Sequence, residues 1–283
     1  MQKGRVLTAL RRHDPIVTLT TDFGLRDPFV ASMKAVILSI ERRARLVDLS
    51  HELPPHRVLP AALFLREACP WFPAGTIHVA VVDPGVGGPR RPLVAKAGGQ
   101  LYVGPDNGIF SLVFQRALFE GAWQISDPKY LLPKISRTFH GRDLFAPAAA
   151  HLARGLPPNV FGPEIVDPTT LEIPGPTVCP DRLAGEVLWV DRFGNCATNL
   201  EEDQVSRWAA GEPFTIRAAS RKIRGMSESY ASVPVGGLLA IFNSSGVLEI
   251  ACNRASAHEA LGLKEGDPVV LERIRNPRSK GKS

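Results

Sequence analysis

The stretch TIHVAVVDPGVGGPRRP, residues 76–92, decides the fold. Its first seven residues are mostly β-branched or apolar and do not alternate with charged ones. That is the composition of a strand covered on both faces. Asp83 closes the strand, and a loop rich in Gly and Pro leads to Arg90 and Arg91. In an α/β layer, ligands sit outside the carboxyl ends of the strands. The glycines of such a loop let backbone approach a ligand closely. Arg90 supplies a fixed cation within reach of Asp83 if the loop folds back. The alternative is an ordinary turn carrying a surface arginine pair.

Working outward, residues 16–20 form a second β-rich run, ending in Thr21-Asp22-Phe23-Gly24. Val30, Met33, Ala35, Val36 and Ile37 then repeat at helical spacing over 29–40. A strand follows at 46–49, then a helix over 61–68 that Pro70 ends. Residues 101–103 predict another strand, 107–118 a short helix and 142–152 an Ala-rich helix. Strands alternating with helices predict an α/β domain with a mostly parallel central sheet. The texture changes after Gly155: residues 156–180 hold seven prolines, an extended connector where a domain boundary belongs. Beyond it, short strands at 183–190, 214–216, 238–242, 247–251 and 269–274 are separated by Gly- and Asn-rich turns. They predict a smaller all-β barrel or sandwich. The expected organisation is a basic tail at 1–13, an α/β domain at 14–165, a Pro-rich linker at 166–182, a β-barrel domain at 183–274 and a basic tail at 275–283.

Of the 283 residues, 44% are hydrophobic and 22% charged, ordinary values for a globular protein. Apolar runs such as 238–242 are far shorter than the roughly 18 residues of a membrane helix, so no membrane partner is expected. Four cysteines without a CxxC pair argue against a disulfide framework or a thiolate zinc site and for a reducing compartment. With no secretory apolar region near the N-terminus, a cytoplasmic protein is expected. The net charge of +6 is misleading: residues 1–13 and 272–283 each carry +4, leaving the body at −2. A nucleic-acid binder spreads its basic residues over a folded face, so no nucleic-acid partner is expected. The tails read as solvated segments or as weak contacts to acidic partners.

Further polar clusters fall at element junctions. Asp22 and Asp27 sit at a strand-to-helix turn, where a carboxylate suits either a ribose diol or helix capping. His140, in Thr138-Phe139-His140-Gly141-Arg142-Asp143, precedes the Ala-rich helix. The helix dipole there favours neutral imidazole, and a packing histidine is the plain alternative. In the barrel, Asp191-Arg192-Phe193-Gly194-Asn195 offers a carboxylate for an ammonium and an amide for an amide-like edge. Asn243-Ser244-Ser245-Gly246, Glu249 and 253–255 form a last group; both barrel groups also read as turn-rich hairpins. No ligand spacing of the HExxH kind and no phosphate loop is present, so neither a metal nor a cofactor is called for. Asp22, Asp83 and His140 as metal ligands form a rival reading.

Taken in order, TDFG…D, VVDPGVG…RRP, TFHGRD, DRFGN and NSSG resemble the S-adenosylmethionine (SAM) hydrolase family, also called SAM hydroxide adenosyltransferases, to which fluorinases and chlorinases are related. The resemblance spans about residues 16–274. It implies an α/β domain followed by a β-barrel. It also implies a homotrimer, with the small-molecule site between one subunit's N-terminal domain and the next subunit's C-terminal domain. SAM is the implied substrate, cleaved by water to adenosine and L-methionine without a cofactor. Asp83, Arg90 and His140 match the water-positioning triad, although the adjacent Arg91 leaves a one-residue shift open. Asp22 and Asp27 match the nucleoside pocket, Asp191 the methionine ammonium and Asn195 an adenine edge. Ser244 and Glu249 match the methionine contacts, while the backbone from Asn253 to Ala255 matches the adenine site. Halogenases carry Tyr where this chain has Asp83, and fluorinase carries Thr where it has Val86, which favours hydrolysis. A chlorinase-like activity and a non-catalytic adenosine-binding protein are the alternatives.

Overall fold

The computed structural model describes residues 14–274; the two basic tails lie outside the described residues. The chain divides into two compact units between Leu171 and Glu172. The first unit begins with β1 (Ile16–Thr21), α1 (Phe29–Ile40), β2 (Arg45–Ser50), α2 (Val58–Ala68) and β3 (Ile77–Val81). It continues with β4 (Pro92–Ala97), β5 (Gln100–Pro105), α3 (Ser111–Arg116), β6 (Phe119–Gln124) and α4 (Ala146–Ala153). Its sheet runs β2-β1-β3-β5-β4-β6. The pairs β1–β2, β1–β3 and β3–β5 are parallel, whereas β4 pairs antiparallel with β5 and β6. The α/β layer expected from the alternation is therefore present, with a mixed edge. All of β3 is buried, as its unbroken apolar composition requires.

Two core clusters cover the sheet. On one face Val17, Leu19, Met33, Ile37, Val79 and Phe145 pack with the alanines of α4. On the other, Leu65, Ala80, Leu93, Tyr102, Ile109 and Phe110 pack together. A polar row crosses the sheet interior: Thr18, His78 and Tyr102 are register partners on β1, β3 and β5. Thr18 Oγ1 lies 2.8 Å from His78 Nδ1, and the His78 ring stacks on Tyr102 at 5.2 Å. Burial pushes the pKa of His78 down to about 4, because the charged imidazolium loses its water.

The second unit holds β7 (Thr177–Val178), β8 (Arg182–Val190), β9 (Cys196–Glu201), α5 (Glu202–Ala209), β10 (Phe214–Ala218) and β11 (Arg221–Arg224). After these come β12 (Leu238–Phe242), β13 (Val247–Cys252), α6 (Ala257–Leu261) and β14 (Pro268–Arg273). The strands pair antiparallel in the order β11-β10-β14-β8-β9-β13-β12, with β7 on β8, and the ends β11 and β12 approach each other in a nearly closed barrel. Its core is Leu183, Val187, Ile216, Ile250, Val269 and Leu271, sealed by Trp208 of α5.

The sequence reading differs from the structure at several elements. The strands β4, β6, β7, β9 and β11 and the helices α5 and α6 go beyond the elements expected from the sequence, and the second unit carries two short helices on its barrel. The helix expected over 107–118 contracts to α3, and the one expected over 142–152 opens as a π-helical turn, Gly141–Phe145, before α4. Residues 163–171, Pro-containing and largely within the linker expected at 166–182, belong to the first unit: Asp106 Oδ1 accepts Thr169 N at 2.7 Å.

Candidate active site

One set of polar side chains gathers at the carboxyl ends of β1 and β3. The register pairs Thr21 with Val81, so Asp22 and Asp83 leave neighbouring strands. Asn107 Nδ2 donates to Val82 O at 2.9 Å and fixes the end of β3. The loop then turns on itself, with Val86 N bonded to Asp83 O and Gly88 N to Gly85 O. Gly87 has φ +75°, and a Cβ there would lie 2.4 Å from Arg137 O, so the turn requires glycine.

This turn returns Arg90 to the strand end. Arg90 Nε lies 3.0 Å from each carboxylate oxygen of Asp83, and Nη2 also bonds Asp83 Oδ2. Nη2 lies 2.6 Å from His140 Nδ1. Phe145 packs beneath the guanidinium, 5.4 Å from ring centroid to Cζ. The side chains of Asp83 and Arg90 are 4% and 10% exposed. A guanidinium cannot accept a hydrogen bond, so Nδ1 accepts and the neutral ring carries its proton on Nε2. The ring also contacts the Ser136 backbone. Burial first, and Arg90 second, hold the His140 pKa below its usual value, so the ring is neutral at pH 7. Arg91 turns away, with Nε 2.7 Å from Asp106 Oδ2 and Nη1 2.7 Å from Asp167 Oδ1. The geometry thus distinguishes the two arginines: Arg90 joins Asp83 and His140.

His140 is held by the π-helical turn that follows it, in which Ala146 N reaches back to Gly141 O. Buried Asp143 accepts from Arg142 Nε at 2.6 Å and from Ser136 N at 2.8 Å, tying 136–143 together. Such wide turns recur at functional sites. The rings of Phe23, Phe29 and Phe139 meet at 5.1–5.9 Å and join this segment to the 21–29 turn.

In that turn Asp22 Oδ2 accepts His56 N at 2.8 Å, and Oδ1 has no hydrogen bond among the described residues. Asp27 is exposed and without a hydrogen bond or ion pair among them. Neither caps α1, whose N-cap is Pro28 with no side-chain bond. Among the described residues no group of three or more His, Cys, Asp or Glu is disposed to hold a metal ion. The metal-ligand reading of Asp22, Asp83 and His140 also meets a guanidinium already lodged between Asp83 and His140.

The second set lies in the barrel unit, around a cavity of about 600 Å³ lined by Asp191, Phe193, Asn195, Tyr230, Cys252, Arg254, Ala255 and Ser256. Asp191 Oδ1 accepts Phe193 N and Asn195 N at 2.8 and 2.9 Å, and Oδ2 accepts Asn195 Nδ2 at 3.0 Å. One amide proton of Asn195 is therefore committed to Asp191, leaving its carbonyl and second proton for a ligand. Gly194 permits this turn: at φ +79°, a Cβ would collide with Ser256 at 2.1 Å. Glu249 stands behind Tyr230, accepting its hydroxyl at 2.8 Å and Asn243 Nδ2 at 3.3 Å. Burial raises the pKa of Glu249, and Asp191 adds to the rise.

Of the barrel residues singled out in the sequence, Asp191, Asn195 and Ala255 line the cavity and Glu249 touches it through Tyr230. Asn253 braces the 233–237 loop through Val233 O at 2.7 Å, and Ser244 is exposed on the β12–β13 turn. Tyr230 opens a single 3-10 turn, Tyr230–Ser232, capped by Ser229 and Ser232, too short to leave a periodic signal in the sequence. Phe193, 77% exposed beside Asp191, carried a signal as an apolar ring inside a polar turn.

The model of the SAM hydroxide adenosyltransferase N-terminal domain matches residues 17–162, and that of the C-terminal domain matches 185–270. The chain belongs to the SAM hydroxide adenosyltransferase family. Within reach of this family, the chain is 44% identical over 262 residues to the (R)-S-adenosyl-L-methionine hydrolase of Thermus thermophilus, covering 90% of this chain and 98% of that protein. A fluorinase of Actinopolyspora mzabensis is 26% identical, covering 92% of this chain and 97% of the enzyme. A crystal structure of an uncharacterized conserved protein from Thermotoga maritima superposes with a TM-score of 0.84 at 35% identity, covering 91% of this chain and all of that one.

Proposed function

We propose that this chain hydrolyses S-adenosyl-L-methionine to adenosine and L-methionine, by attack of water on the ribose C5′. The observation that carries the reading is the contact set in which Arg90 grips Asp83 and His140 at a strand end. The (R) epimer at sulfur, named for the Thermus thermophilus relative, is the expected substrate.

The chemistry asks little of an acid. SAM is a sulfonium, so the C5′–S electron pair leaves on a neutral thioether that needs no proton. What is lacking is an oriented nucleophile. Each carboxylate oxygen of Asp83 keeps lone pairs beyond those used by Arg90, so Asp83 can hold one hydrogen of a water in line with the breaking bond. Such placement is worth roughly 7–11 kcal/mol in favourable cases. His140 is an unsuitable first base, because its Nδ1 lone pair is taken by Arg90. Its role is to hold the guanidinium, and with it Asp83, in place. Asp83 takes the water proton late, as the C5′–O bond forms, and no cofactor enters the balance. Asp22 receives the ribose hydroxyls through its open Oδ1. Asp191 receives the methionine ammonium, and Asn195 and the backbone at Ala255 receive the adenine edge.

We read the working enzyme as a cytoplasmic homotrimer in which one subunit's triad faces a neighbouring subunit's barrel cavity. Among the described residues no helix is long and apolar enough to cross a membrane, and all four cysteines are free. Purified protein given each sulfur epimer of SAM should release equimolar adenosine and methionine, faster from the (R) form, as followed by chromatography. Tight adenosine binding without methionine release would make it a binding protein instead, and chlorinated nucleoside as the main product with chloride present would make it a halogenase.

A further inference from the structure

Asp22 is carried by a turn held from behind by a residue outside the machinery described so far. His51 follows β2 and is 4% exposed. It grips the 21–24 turn at two points. Its ring Nδ1 lies 2.8 Å from Thr21 Oγ1, and its backbone carbonyl accepts Gly24 N at 2.7 Å. Thr21 Oγ1 in turn accepts Phe23 N at 3.3 Å. On the far side of the ring, Nε2 lies 3.1 Å from Asp48 Oδ1, off the line of an ideal hydrogen bond. Asp48 is itself anchored by Lys34 at 2.6 Å.

The directions of these bonds follow from electrostatics. An unprotonated Nε2 would aim its lone pair at a carboxylate, so Nε2 carries the proton, and in the neutral ring Nδ1 is then the acceptor. Thr21 must then donate to Nδ1, which leaves its oxygen lone pairs to receive Phe23 N. The chain Phe23–Thr21–His51–Asp48 is thereby polarised toward the Asp48 carboxylate, onto which Lys34 donates from the other side, and it passes through the residue next to Asp22. Gly24 has φ +66° and His56, bonded to Asp22, has φ +63°, so the turn leaves the usual backbone regions at both ends of its bonding. A turn of this kind holds its shape when fixed from outside.

We propose that His51 is a positioning residue for the nucleoside end of the site, acting through Thr21 to present Asp22 Oδ1 to the ribose hydroxyls. The proposal rests on the reading of Asp22 as the ribose ligand. Neither His51 nor Thr21 touches substrate; both set the orientation of the residue that does.

Thr21→Val tests this with volume kept, removing the hydroxyl that donates to His51 and accepts Phe23 N. KM for SAM and the inhibition constant for product adenosine should rise together by about tenfold, the loss of one positioned hydrogen bond. kcat should stay within about twofold, since the triad is untouched. Thr21→Ser should restore both constants. His51→Asn, which keeps an acceptor near the Nδ1 position, should stay close to wild type while His51→Gln shows the rise; this pair separates the His51 contact from the Phe23 one and serves if Thr21→Val does not fold. Unchanged KM and adenosine inhibition in Thr21→Val, even with a lowered Tm, would overturn the proposal. Adenosine affinity by calorimetry separates the two readings. Wild-type protein that binds adenosine but does not cleave SAM contradicts the hydrolase alone, and the His51→Gln shift in that affinity, set against His51→Asn, still reports on His51. Wild-type protein that binds no adenosine overturns both.

Discussion

The two polar assemblies of this molecule are built on opposite plans. In the α/β unit, charges are closed on one another: Asp83, Arg90 and His140 satisfy each other in a nearly dry contact. In the barrel unit, Asp191, Asn195, Phe193 and Tyr230 face an open cavity of about 600 Å³. The contrast teaches a division of labour. A preset cluster of charges costs no reorganisation when the reaction occurs and suits stabilisation of a water nucleophile. An open cavity with partly free polar groups suits recognition of a ligand that brings its own charges.

Separating kcat from KM is the sharpest way to break this comparison. Asp83→Ala should lower kcat at least ~10³-fold, about 4 kcal/mol of transition-state stabilisation, with adenosine affinity nearly unchanged. Arg90→Lys should follow at ~10²-fold, because an ammonium cannot make the two-point grip on Asp83 while reaching His140. Steady-state kinetics and calorimetry measure both; a defect confined to KM would assign the α/β cluster to binding.

A second, smaller contrast is in stability against pH. His78, buried with its pKa near 4, is neutral in the fold, while in the unfolded chain it titrates near 6.5. Unfolded chains therefore bind a proton that native ones refuse between those values. The α/β unit loses up to about 3 kcal/mol as pH falls from 6.5 to 4. Glu249 acts in the opposite sense: its raised pKa keeps a proton in the fold, so its contribution declines as pH rises through its usual range. Hydrogen exchange at pH 5 and 7.5 should show protection in the β1–β3–β5 core falling at the lower pH more than in the barrel. His78→Gln should flatten that difference, and an unchanged slope would remove His78 as its source.

The recognition half should respond more gently. Asp191→Asn keeps acceptors for Phe193 N and Asn195 N but removes the charge, so KM for SAM should rise about 30-fold, near 2 kcal/mol, with kcat within about threefold. Tyr230→Phe should show the least, a KM increase of about threefold, since Glu249 keeps Asn243 as a donor. A larger drop in kcat than rise in KM for either variant would blur the division between the halves.

Much of the first half was legible because chemistry and fold coincide there. The apolar strand over 76–82 had to be interior, and a carboxylate at its end had to face the site edge. The sequence could not choose between Arg90 and Arg91. That choice depends on the turn enforced by Gly87 and on Asp106 and Asp167, distant in sequence, which draw Arg91 away. β4 and β6 escaped notice because PLVAKA and FEGAWQ are short and end in turn-like neighbours. Their strand identity comes from pairing, of β6 with β4 and of β4 with β5. In the barrel, Asp191 and Asn195 were visible in a compact motif, whereas Tyr230 entered through a fold-back of its short 3-10 turn onto Glu249. His51 lacked a local signal too: Asp48 stands three residues before it, but Thr21 meets it only through the pairing of β1 with β2.

The central claim is that a water positioned by the Asp83–Arg90–His140 cluster becomes the 5′-oxygen of the product. The direct measurement is mass spectrometry of adenosine formed from SAM in oxygen-18 water by wild-type and Asp83→Ala protein. One heavy oxygen in the 5′-hydroxyl of wild-type product, with product formation abolished in the variant, is the predicted result. Unlabelled adenosine, or equal labelled product from both proteins, would contradict it.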